Sequence, residues 1–181
     1  MIIKDFFGHL STVLRHKYYV FKYGCKLGIP LRAFFHDMSK FSPVEFFESV
    51  KYYQGGESSP INAAKSIKGY SLAWQHHKGR NTHHYEHWTD RYDDGTVAIK
   101  MPFKCVVEMI ADYLGAANAY HGRRFTLQME YEWWLQKLTT NPKIHVETRN
   151  FVTVILHTFA KNGKIDRITN LKYLYEHGAF R

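Results

Sequence analysis

Apolar residues recur every three or four positions along much of this 181-residue chain, the period of helices that bury one face. From about residue 2 to 23, Phe6, Leu10, Val13, Leu14 and Phe21 keep that spacing, with Val20 beside them. His16, three residues after Val13 and four before Val20, turns toward the core side. Gly24 and Gly28 surround a break, and Pro30 suits the first turn of a second, short apolar helix over about 30–38. Ser42-Pro43, with Glu45 three residues after Ser42, reads as a capping box opening a third helix to about Gln54. Gly55-Gly56-Glu57-Ser58-Ser59-Pro60 is a loop. A weaker helix follows over about 61–78, and Gly79-Arg80-Asn81-Thr82 is a turn. Tyr92-Asp93-Asp94-Gly95-Thr96-Val97 has hairpin chemistry. A strong helix over about 102–121 shows an apolar face of Val106, Met109, Ile110, Tyr113 and Leu114, with Asp112 near it. Helices over about 125–138 and 145–161 flank Asn141-Pro142, and a terminal helix covers about 166–177. The pattern predicts an all-α chain forming one domain over 1–181, with a core of about 2–121 and C-terminal helices over about 125–181.

Composition narrows the function classes. A formal net charge of +9 favours anionic ligands, nucleotides or nucleic acid. No helix carries the dense Lys/Arg row of a dedicated DNA reader, so nucleic acid is the lesser of the two. Cys25 and Cys105 form no CxxC pair and read as reduced thiols of a cytoplasmic protein. Charges at Lys4 and Asp5 disqualify the N-terminus as an export signal. No apolar run approaches the roughly 20 residues that span a membrane, so no membrane partner is expected.

The chemistry is concentrated in histidine. Twelve are present, and five fall between positions 76 and 87. His36 and Asp37 are adjacent, directly after Phe34-Phe35. Burying an imidazole beside a carboxylate is costly unless something pairs with both, and a divalent metal does so at once. His16, His36, Asp37 and Asp112 are the candidate ligands for Mn, Fe, Co, Ni or Zn, as one or two ions. His76 and His77 stand about 100° apart on a helix, and His77 is taken as the ligand of the pair. His83 and His84 read equally as ligands of a second ion, substrate contacts or surface residues. His87 reads as structural, and His9, His121, His145, His157 and His177 have no local context. Lys40, one turn past His36, is placed to neutralise a phosphate, as are Arg80 and Arg32. Trp74, Tyr85 and Trp88 flank the histidines, as core residues or as faces for a nucleobase. Trp133-Trp134 reads as core or as the interface of a homo-oligomer.

This arrangement resembles the HD-domain metal-dependent phosphohydrolases. Their pattern is a His on a first helix, a His-Asp doublet, one or two further histidines and an Asp on a later helix, matched here by His16, His36-Asp37 and Asp112. The match covers about residues 10–121. His36-Asp37-Met38-Ser39-Lys40 and His76-His77 are similar to features of the cyclic-dinucleotide phosphodiesterases of that superfamily. Ser39 stands where those enzymes have glycine, and their Gly-Tyr-Pro signature is absent, so cyclic-dinucleotide specificity is not implied. HDMSKFSPVEF, AWQHHKGRNTHHYEHW and MPFKCVVEMIADYLGAA are also similar to a family of small bacterial and phage proteins with an HDxSKFSPxEF motif and no assigned activity. The resemblance implies an HD-like helical bundle and a metal-activated water that hydrolyses a small phosphoester, most simply a nucleotide. Asp37 and Lys40 would act in catalysis, and Lys40, Arg80, His83 and His84 on the substrate. It also admits a di-iron oxygenase. The basic charge admits a nucleotide- or nucleic-acid-binding protein without catalysis.

Overall fold

The computed structural model describes residues 3–56, 58–93 and 95–181. Ile2 of the first expected helix, Glu57 of the loop and Asp94 of the hairpin turn lie outside them. Nine α-helices and one two-stranded sheet are found among the described residues, so the chain is all-α. No described helix is long and apolar enough to cross a membrane.

Helix α1 (Ile3–Leu27) runs four residues beyond the expected end. Its buried stripe is His9, Val13, His16, Val20, Tyr23 and Leu27, at steps of three and four. Leu14 and Phe21, expected in the core, are 52% and 40% exposed. Two histidines belong to the buried face, so apolar residues alone place that face wrongly. His16 points inward as expected.

The corner after α1 sets up the site. A Cβ on Gly24 would stand 2.2 Å from Ala33 Cβ, so only glycine lets α2 (Pro30–Phe34) fold back this closely. Pro30 opens α2 as its fixed φ allows. The helix is shorter than the expected 30–38 and Phe35 caps it, so His36-Asp37 lie beyond its end. Asp37 takes a left-handed conformation (φ 55°, ψ 30°) that starts a 3-10 turn, Met38–Phe41. Lys17 donates to the His36 carbonyl and ties this turn to α1.

Helix α3 (Pro43–Lys51) starts at the Ser42 cap, whose hydroxyl accepts from the Glu45 N–H. The single helix expected over 61–78 is two, α4 (Pro60–Lys68) and α5 (Leu72–Arg80). Ser71 makes the division by accepting from the Trp74 N–H. The hairpin pairs β1 (Thr89–Tyr92) with β2 (Gly95–Ala98), Thr89 opposite Ala98.

Helix α6 (Phe103–His121) is the axis of the molecule. All eight residues from Cys105 to Asp112 are buried, on every side of the helix. Helix α1 lies along it, while α7 (Leu127–Thr139), α8 (Val146–Asn162) and α9 (Lys172–Glu176) also pack against it. One apolar cluster joins Val20 and Leu27 of α1, Val106 and Ile110 of α6, Trp134 of α7, Phe151 of α8 and Tyr175 of α9. The terminal helix is shorter than the expected 166–177 and follows a 3-10 turn, Thr169–Leu171. Tyr175 anchors it by donating to the Met101 carbonyl at 2.8 Å.

Helices α1 and α6 touch where Gly115 faces Val20. A Cβ on Gly115 would meet the Val20 backbone nitrogen at 2.9 Å and its Cγ2 at 2.5 Å. Alanine normally stabilises a helix interior by ~1 kcal/mol over glycine. Here the sign is expected to reverse, with Gly115→Ala destabilising by about 1–3 kcal/mol. Thermal unfolding should show a melting temperature lower by about 3–10 °C; an unchanged or higher value would mean the helices are not this close.

Candidate metal centre

Four elements bring their side chains to one buried carboxylate, Asp37, which is 2% exposed. Its two oxygens face different groups. Oδ2 stands 3.4 Å from His16 Nε2 on α1 and 3.2 Å from His36 Nε2. Asp112 Oδ1, on α6, closes this group at 3.2 Å from His16 Nε2 and 3.4 Å from His36 Nε2. Oδ1 stands 3.3 Å from His77 Nε2 on α5 and 3.3 Å from His83 Nε2 in the segment after it. His84 Nε2 joins this second group, 2.8 Å from His77 Nε2. The chain thus has two sets of converging N and O donors, His16, His36, Asp37 and Asp112 on one side, Asp37, His77, His83 and His84 on the other.

The spacing fits a cation in each set. Ligands about 2.1 Å from a shared ion stand roughly 3.0–3.4 Å from one another. The chemistry of the donors fits as well. Asp37 Oδ1 and His83 Nε2 are buried without a hydrogen-bond partner among the described residues, a costly condition for polar atoms.

Two glutamates behind the rings decide which nitrogens face inward. His36 Nδ1 donates to Glu108 Oε1 at 3.0 Å, and His83 Nδ1 stands 3.4 Å from the same oxygen. Glu45 Oε2 accepts from His77 Nδ1 at 2.7 Å, and Oε1 from His76 Nδ1 at 2.6 Å. Burial pushes the Glu108 carboxyl up, but hydrogen bonds from His36 and His83 prevail and hold it at about 2. An ionised carboxylate only accepts, so the proton sits on Nδ1 and the Nε2 lone pair is left for the centre. Carboxylates behind ligating imidazoles orient and strengthen them in just this way. Arg32 pairs with Glu108 and donates to Thr82 Oγ1 at 2.7 Å, which places it behind the centre rather than on a substrate.

Charges within the centre are closely coupled. Burial favours a neutral His36 ring, yet the Asp37 charge and bonds to Asp112, Asp37 and Glu108 raise its pKa well above the ordinary value. Burial likewise pushes Asp37 up, but His36, Lys40 and His77 outweigh it and keep it ionised. Lys40 Nζ lies 2.6 Å from Asp37 Oδ2. Protons and Lys40 balance the carboxylates here, and a metal replaces such protons when it binds.

A cavity of about 250 Å³ opens on the centre, lined by His16, Lys40, His77, His84 and Asp112. His9 also lines it, buried and with Nδ1 unpartnered among the described residues; burial, then the Lys40 charge, lowers its pKa to about 4. A second cavity, beside the first, is lined by Glu130 of α7, which is 3% exposed.

The structure gathers His16, His36, Asp37, His77, Asp112, Lys40, His83 and His84 as a unit. Arg80 does not join them: it is exposed at the end of α5 and makes no side-chain hydrogen bond or ion pair among the described residues. Arg80 is the last residue of α5, and its side chain stays in solvent there. His87 is structural as expected, its ring bonded to the Lys78 carbonyl. Glu45, Glu108, His9 and Glu130 escaped the sequence reading. Glu108 carried a usable signal, one helical turn before Asp112 on the same face.

The chain belongs to the family described as "Family of unknown function (DUF5662)", which it matches over residues 5–158. Every residue of the centre falls in that stretch. No curated protein and no solved structure matches the chain.

Glu130, outside both donor sets, gives a pH test. Burial, then the Asp112 charge, pushes its carboxyl up to about 8 against the pull of Lys137. Its folded-state pKa is therefore above the ordinary 4.5. The neutral form suits the fold, so this contribution is fully present below pH 4.5 and is lost as pH rises to about 8. Glu130→Gln is expected to match the parent at pH 5 and exceed it at pH 8.5, by ~1.4 kcal/mol per unit of pKa displacement. Thermal unfolding at both pH values measures the difference; a Gln variant equally stable at pH 8.5 would remove the claim.

Proposed function

We propose that this protein is a hydrolase of small phosphoesters built on a dinuclear, HD-type metal centre. The observation that carries the reading is the bridging position of Asp37, with one oxygen toward each donor set. His16, His36, Asp37 and Asp112 would hold one divalent ion, and Asp37, His77 and His83 a second, with His84 completing that set. Ions held there supply Lewis acidity toward a phosphoryl oxygen and lower the pKa of bound water toward neutrality.

The chain's own residues supply the rest. Glu108 and Glu45 fix the rings so that no reorganisation is needed when substrate arrives. Lys40 reaches Asp37 and also lines the adjoining cavity, so its ammonium is placed to neutralise a phosphate seated there. His84 lines the same cavity. Burial, then the His83 charge, keeps its ring neutral, the form a metal ligand needs. The net charge of +9 attracts a phosphorylated small molecule, and a nucleotide is the substrate proposed. The histidine-rich second set would also suit iron, which is why the metal must be identified before the reaction.

Elemental analysis of the purified protein is expected to give two divalent ions per chain. His77→Ala should leave one, and Asp37→Ala should lose both. Turnover of nucleoside monophosphates or of an aryl phosphate, tested across several divalent metals, should fall by at least about 10³-fold in Asp37→Ala. Two irons with an optical band on oxidation would turn the reading to oxygen chemistry. Full biological effect from a folded His36→Ala, Asp37→Ala double variant would overturn enzymatic function altogether. The metal should also raise thermal stability, by about 2.7 kcal/mol at a hundredfold excess over Kd, and a chelator should reverse the gain.

A further inference from the structure

The second cavity has about 550 Å³, within the roughly 300–1,000 Å³ of small-molecule sites. Trp74, His84, Asp112 and Tyr120 line both it and the cavity over the centre. A molecule held by its phosphate at the centre therefore has direct room to extend into it.

The part beyond that shared wall is aromatic. Tyr113 of α6 and Trp133 of α7 meet edge to face at 5.1 Å between centroids, and Tyr85 lines the same space. Lys137 Nζ lies 5.0 Å from the Tyr85 ring and 5.1 Å from the Trp133 ring. A cation held against these rings adds attraction for any flat, electron-rich ring that stacks beside them.

Two carboxyls on this wall lack a partner, and Glu86 Oε2 is one, buried with none among the described residues. Glu130 is 3% exposed, lines the cavity and makes no side-chain hydrogen bond among the described residues. A buried carboxyl without a partner is disfavoured unless a ligand supplies one. With its pKa raised to about 8, the group holds its proton at neutral pH. It then offers a donor and an acceptor side by side.

We propose that this cavity is a nucleobase subsite, in which the base stacks against Trp133 and Tyr113 and the Glu130 carboxyl hydrogen-bonds its donor–acceptor edge. The inference rests on the reading of the adjoining centre as a phosphoester site and assigns its substrate as a nucleotide held at both ends. Trp74, on the shared wall, would lie between base and phosphate.

Adenosine tests the subsite alone, because it has no phosphate to be turned over. Its binding to the purified full-length chain can be followed by tryptophan fluorescence and calorimetry, with ribose 5-phosphate as the control. Trp133→Leu is expected to weaken adenosine by about 5- to 100-fold, the worth of one stacked base. Glu130→Leu should weaken it by about tenfold, whereas Glu130→Gln, which keeps a donor beside an acceptor, should stay within about threefold of the parent. Ribose 5-phosphate should bind all four proteins alike. The inference is lost if adenosine does not bind, or if Trp133→Leu binds it as the parent does, or if Glu130→Gln fails as badly as Glu130→Leu. Turnover of aryl phosphate without adenosine binding would remove the subsite and leave the hydrolase. Adenosine binding with this variant pattern, but no turnover with any metal, would remove the hydrolase and leave the subsite.

Discussion

A carboxylate as buried as Asp37 has to be charged and paired, or protonated. Here both oxygens are ringed by imidazole nitrogens, and Lys40 stands against one of them. The surrounding architecture serves that arrangement. The tight Gly24–Ala33 contact turns α2 back so that the doublet meets His16. The capped start of α3 puts Glu45 behind His77, and the deep burial of α6 puts Glu108 behind His36 with Asp112 in front. Each histidine supported in this way has one nitrogen committed to a carboxylate and the other to the centre. Geometry and proton position are therefore set together.

The same grouping explains an apparent contradiction in charge. The chain is strongly basic, yet four of its sixteen acidic side chains, Asp37, Glu45, Glu108 and Asp112, crowd one buried region. Basic residues elsewhere draw in an anionic ligand over distance. The acidic interior would repel that ligand at contact unless cations or protons balanced it. Long-range attraction and local chemistry are thus separate devices, and the second depends on what fills the two donor sets.

Much of this could be read from the residues. Helical periods located α1, α6, α7 and α8 to within a few positions, and histidine and aspartate on apolar faces marked His16, His36-Asp37, His77 and Asp112 as a group. What failed had physical causes. The buried face of α1 includes His9 and His16, so a search for apolar residues turned it toward Leu14 and Phe21. Ser71 divides one expected helix into α4 and α5 because a capping hydroxyl outweighs a weak apolar period. Glu45 was taken up by its role in a cap, although its carboxylate instead holds two rings. Glu108 lies on a helix buried all round, where periodicity no longer separates one face from another. Arg80 looked suited to phosphate by charge alone, but it is the exposed last residue of α5 and takes no part in the buried group.

The left-handed backbone at Asp37 places a second demand on that position. Most side chains tolerate this conformation poorly, while aspartate and asparagine enter it readily. The site therefore asks for two independent properties of one residue, an anionic headgroup shared between neighbours and a backbone willing to reverse its hand. Glutamate has the charge without the backbone tolerance, asparagine the tolerance without the charge. Only aspartate meets both demands, which leaves this position almost no freedom to drift however far the helices around it diverge.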